Sequence, residues 1–177
     1  MDHKKGNSPK RKTFKEAVAA TPQVKNCHKE GKQAILGKER DKVSLADATK
    51  CGGSLFIDQC LIDQKLHPNA NRWDYAIDYD GEVYFFEIHS AKTDQVSKVI
   101  KKLEWLQEWL HTTGSEIYKL RAKTPYFWVQ SDGYHILPRS AEQALAAQNG
   151  IRPIARLMLP LDTGGKKKQK REKQKHK

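Results

Sequence analysis

Between Arg72 and Ala91 apolar and polar positions alternate with a period of two on either side of Asp80-Gly81, the pattern of two strands joined by a tight turn. A two-residue loop fixes the register. Tyr79 faces Glu82, Asp78 faces Val83, Ile77 faces Tyr84, Ala76 faces Phe85, Tyr75 faces Phe86, and Asp74 faces Glu87. One side then carries Tyr75, Ile77, Tyr84, Phe86 and Ile88 and is expected to pack on a core. The other mixes Ala76, Val83 and Phe85 with Asp74, Asp78, Glu87 and His89, and is expected to offer ligands.

Elsewhere the period changes. Val96, Val99, Leu103, Leu106 and Leu110, broadened by Ile100, Trp105 and Trp109, predict a helix over Asp94–His111, stopped by Thr112-Thr113-Gly114. Thr13 to Ala20 predicts a short helix closed by Thr21-Pro22, whereas Gln23 to Asp41 is polar and basic and leaves its structure undetermined. Ser44-Leu45-Ala46-Asp47 reads as a helix start that Gly52-Gly53 interrupts, and Leu55, Phe56, Cys60 and Leu61 predict a buried helix over Ser54–Leu66. Pro125 to Ser131 predicts a strand, with Asp132-Gly133 and Tyr134 to Leu137 completing a second hairpin. Ser140 caps a helix through Gln148, and Ile154 to Leu159 reads as a last strand. This order of elements implies a mixed α/β domain.

Length and charge refine the picture. A chain of 177 residues with 37% hydrophobic residues suits one domain, expected over residues 16–163. No apolar run is long enough for a membrane helix and no apolar segment follows the basic N-terminus, so a soluble, cytoplasmic protein is expected. Cys27, Cys51 and Cys60 then read as reduced thiols. With Cys27-His28 and His67 they lack the paired spacing of a zinc site, and Cys60 falls on an apolar stripe. The formal charge is +12, but residues 1–15 hold six Lys/Arg against Asp2 and residues 166–177 hold eight against Glu172. The excess therefore lies wholly at the ends. Residues 1–15 and 164–177 are expected to be disordered basic tails that attract phosphate backbones without reading sequence.

The chemistry concentrates on Asp74, Glu87 and His89. Like charges directly opposite each other destabilise a sheet, so a divalent cation, a shared proton or a basic neighbour should compensate them. The bland alternative is a register slip that leaves both acids in solvent. Asp74 on one strand, Glu87 and His89 two apart on the next, and a basic helix afterwards resemble the PD-(D/E)XK nuclease superfamily, over roughly Leu55 to Ser131. The resemblance implies a restriction-endonuclease-like fold, with a central mixed sheet containing the hairpin and flanked by helices. It also implies Mg²⁺ or Mn²⁺ held by Asp74, Glu87 and the Ile88 carbonyl, with Asp58 or Asp63 as an extra acidic ligand, and hydrolysis of phosphodiester bonds in DNA or RNA. Two positions depart from the family pattern: Trp73 stands where proline is usual, and His89 where lysine is. Imidazole near pKa 6.5 is mostly neutral at pH 7 and could ligate metal or accept a proton. Lys92, Lys98 or Lys102 could supply the missing charge. These three, with Lys166, Lys167, Lys168 and Arg171, are the expected nucleic-acid contacts. A non-catalytic nucleic-acid-binding protein that keeps the nuclease fold is the alternative function.

Overall fold

A computed structural model describes residues 10–162 of the chain. From the N-terminal side, α1 (Phe14–Ala19) and β1 (His28–Lys29) precede β2 (Val43–Leu45), β3 (Cys51–Phe56) and α2 (Ile57–Asp63). The hairpin strands are β4 (Tyr75–Tyr79) and β5 (Glu82–Lys92). Next come α3 (Val96–Thr112), α4 (Ser115–Tyr118), β6 (Arg121–His135), α5 (Ala141–Gln148) and β7 (Leu157–Leu159). Thr13 and Glu16 form a reciprocal capping box on α1, so the fold already includes residues 13–15, which the sequence pattern assigns to a tail.

The hairpin register is the one expected from Tyr79–Glu82 to Tyr75–Phe86. Asp80 and Gly81 both take left-handed backbone, with φ of 55° and 81°, as a type I′ turn requires. The main sheet runs β1-β3-β4-β5-β6 and is antiparallel except for the parallel β5–β6 pair. Parallel neighbours need a crossover, and α3 with α4 provides it. This mixed α/β architecture positions α3 across the sheet, over Ala76, Val83 and Phe85 in the larger of two cores. Val99, Leu103, Leu106 and Leu110 are buried there. Each contributes about 1.5–3 kcal/mol of apolar burial, and Leu106→Ala is expected to cost about 3 kcal/mol.

Both faces of the hairpin are therefore covered, the mixed face by α3 over Ala76, Val83 and Phe85. Tyr75, Ile77, Tyr84, Phe86 and Ile88 pack on the second core with Ile35, Val43, Leu157 and Leu159. The parallel β2–β7 pair roofs that face.

Three other segments differ from their predicted state. Ser44 lies in β2 rather than at a helix start, because Val43 and Leu45 bury better beside Leu157 and Leu159 than a capped turn would. The helix expected over Ser54–Leu66 is split. Ser54, Leu55 and Phe56 pair with Ile77, Ala76 and Tyr75 as strand β3, and α2 begins only at Ile57, whose N–H donates to Asp74 O at 2.8 Å. Asp132-Gly133 is not a hairpin turn; it bulges within β6, where the register jumps from His89–Gln130 to Ala91–Tyr134. Cys27 and Cys60 form a disulfide, Cα–Cα 6.1 Å, which corrects the reading of both as reduced thiols; Cys51 is free. Among the described residues no helix is long and apolar enough to cross a membrane.

Candidate active site

Asp74 immediately precedes β4, and its peptide is held from both sides. Its carbonyl accepts from Ile57 N, and its N–H donates to Glu87 Oε2 at 3.0 Å. Its own Oδ2 accepts from Ile88 N at 3.2 Å. Each acid thus spends one oxygen on the other's strand. The remaining oxygens, Asp74 Oδ1 and Glu87 Oε1, both accept from Lys102 Nζ, the former at 3.2 Å. Lys102 follows Val99 by three residues and precedes Leu106 by four, so it flanks the buried stripe of α3 and its ammonium reaches down onto the pair. Lys102 is thus a basic neighbour that compensates the pair.

His89 completes the group. Its Nδ1 stands 3.5 Å from Glu87 Oε1 and its Nε2 lies 3.0 Å from Gln95 Oε1. The Gln95 amide is oriented by donating to Asp94 Oδ2 at 3.2 Å, and the His89 carbonyl accepts from the Trp128 indole at 3.1 Å. Both ring nitrogens face acceptor oxygens, an environment that suits an imidazolium rather than a free electron pair. Side-chain exposure is 0% for Glu87, 13% for Lys102, 16% for Asp74 and 18% for His89. Glu87 is thus the fully buried member, and the other three keep a small exposed fraction.

Its electrostatics follow from that burial. Loss of solvent, then the Glu87 charge, pushes the Asp74 carboxyl up to about 7 against the opposing pull of Lys102 and the Ile88 N–H. Hydrogen bonding to Glu87, against burial and with help from Gln95, raises the His89 pKa above its ordinary value. Burial disfavours the Lys102 ammonium, yet the charges of Glu87 and Asp74 together hold its pKa above that of a free lysine. The expectation of a His89 free to ligate metal therefore meets two obstacles: both ring nitrogens face acceptor oxygens, and the hydrogen bond to Glu87 favours the protonated form.

The other candidates lie elsewhere. Asp58 is engaged by Arg72 at 2.7 Å and Asp63 by the Gln59 amide at 2.7 Å, so neither joins the pair as an extra ligand. Lys92 and Lys98 are exposed and make no contact with it. Lys166, Lys167, Lys168 and Arg171 lie outside the described residues. Among the described residues no group of three or more His, Cys, Asp or Glu side chains gathers to hold a metal ion. Gln95 and Trp128, which fix His89, carry no signal in the sequence pattern that would have marked them. No protein-family model, curated protein or solved structure matches the chain.

Proposed function

We propose that this chain is a metal-dependent nuclease of restriction-endonuclease-like type, hydrolysing phosphodiester bonds in DNA or RNA. One observation carries the reading: Asp74 Oδ1 and Glu87 Oε1, the two carboxylate oxygens free of backbone partners, converge on a single cation position. Hard carboxylate oxygens with water completing the shell are the donor set that Mg²⁺ and Mn²⁺ take, so the two oxygens suit such an ion in the region where Lys102 Nζ now sits. Asp74, Glu87 and the Ile88 carbonyl would hold it. The chemistry such an ion would supply, if bound, is neutralisation of phosphodiester charge and a lowered pKa for a water. The chain's own groups then divide the remaining work. Lys102 would supply positive charge beside the pair for the negative charge of a developing phosphorane, and Gln95 and Trp128 hold His89 next to it.

The second reading, a non-catalytic nucleic-acid-binding protein, is favoured by one feature. Lys102 already neutralises the pair, as a permanent replacement for a metal would. Cleavage assays on DNA and RNA with Mg²⁺ or Mn²⁺ separate the two. Activity lost in Asp74→Ala and Glu87→Ala with binding intact supports the enzyme; binding without cleavage under any divalent ion supports the module. The basic ends supply the polyanion affinity in either case. A cytoplasmic location belongs to this reading, and the Cys27–Cys60 disulfide is the observation against it; the thiol state of protein alkylated inside cells decides between them.

A further inference from the structure

Past β6 the chain turns through Leu137 and Arg139 into α5, and this turn, α5 and the segment after it wall a cavity of about 480 Å³. Arg139 and Arg152 both line it, and no acidic side chain does. Neither guanidinium has a hydrogen bond or ion pair among the described residues. Arg72, Arg40 and Arg121 are engaged, with Asp58, the Ile35 carbonyl and the Tyr118 ring, and Arg156 is exposed without a partner among the described residues but lines no such hollow. An anion in the hollow would find two unpaired guanidiniums on its wall. A phosphate matches them best, because its oxygens accept the parallel N–H pairs of a guanidinium fork.

The wall is pre-ordered. Gln143 Nε2 donates to the Tyr134 hydroxyl at 3.0 Å, and Gln143 Oε1 accepts from Arg139 N at 2.8 Å. One side chain thus fixes both the aromatic face and the turn that carries Arg139. Tyr134 is largely exposed and offers a stacking surface beside the cationic pair, the combination that single-stranded nucleic acid uses. The cavity also lies on the strand end that leads from the carboxylate pair. Tyr134 pairs with Ala91, four residues along β5 from Glu87, which is about 13 Å of strand, roughly four base steps of duplex. Leu137 N donates to Thr93 Oγ1 at 2.9 Å, tying the turn to the segment that supplies Gln95.

We propose that the Arg139–Arg152 cavity is a phosphate subsite for a nucleic-acid strand, with a neighbouring base on Tyr134. Its assignment to nucleic acid rests on the function proposed above. The test uses the full chain in chelator and single-stranded DNA of about eight nucleotides, with either a 5′-phosphate or a 5′-hydroxyl, read by fluorescence anisotropy across a salt series. The double variant R139Q/R152Q, whose substitutions are exposed and whose thermal midpoint should match wild type, is expected to bind about tenfold more weakly with a salt slope shallower by about one. Y134L should lose a smaller factor. Weakening confined to the phosphorylated DNA identifies a terminal phosphate, and equal weakening of both identifies a backbone phosphate. Wild-type affinity and slope in the double variant, or no binding of either DNA by wild type, overturns the subsite. Cleavage measured in parallel keeps the two proposals apart. A chain that cuts while the double variant binds normally loses only the subsite; a chain that never cuts while the double variant binds weakly loses only the nuclease.

Discussion

Lys102 is the residue on which the site's balance turns. It places one ammonium between two carboxylates that are largely removed from water, and breaking a buried pair costs more than forming it gains, because the orphaned charges stay behind. Lys102→Met is therefore expected to lower unfolding stability by about 3 kcal/mol at alkaline pH. The loss should shrink in acid, where a proton on Asp74 replaces the missing cation; urea titrations at two pH values check this. Asp78 tests the same physics away from the site. It is buried against Gly52, and burial raises its carboxyl to about 6. The folded chain thus holds a proton that the unfolded chain has released, so stability falls as pH rises from about 4 to about 6 and stays lower above that window. Asp78→Asn should add about 2 kcal/mol above pH 6 and flatten the profile between those values. An unchanged profile would show that water reaches this carboxyl.

At the scale of elements, the β3–α2 junction does most to place Asp74. Gly53 sits at φ 128° where β3 changes register, and a Cβ there would meet the Lys29 carbonyl at 2.7 Å and His28 Nε2 at 2.1 Å. Gly53→Ala is expected to cost about 3 kcal/mol and to free the β1 edge, seen as faster amide exchange at His28 and Lys29. This junction was illegible in the sequence because Ser54 to Leu66 carries one continuous apolar stripe, and periodicity alone does not separate a short buried strand from the helix it feeds. The hairpin was legible because Asp80-Gly81 leaves its flanking strands a single register. Asp132-Gly133 carries the same residue signal but lies inside a parallel strand. Local turn chemistry predicted a reversal there, whereas the pairing of β5 with β6 absorbs the extra residues as a bulge.

For the whole molecule, the cysteine count and the charge both needed three-dimensional context. Cys60 is buried, but nothing in its spacing from Cys27 marks a disulfide partner across 33 residues. Closing that loop should stabilise the fold by about 3–4 kcal/mol, so Cys27→Ser or reduction of wild type should lower the unfolding midpoint by equal amounts. The net charge belongs to the chain ends, and deleting residues 166–177 should weaken nucleic-acid binding and flatten its salt dependence. The carboxylate pair was readable from the hairpin, yet its cation was not, because Lys98 and Lys102 share one helix face in the sequence and only packing separates the exposed one from the one drawn inward. What that pair accepts is open to direct measurement with the metal alone. Titrating Mn²⁺ into the full chain and counting bound ions by electron paramagnetic resonance should show one saturable site in wild type that is lost in both Asp74→Asn and Glu87→Gln. No saturable site, or the same site in both variants, would contradict the account.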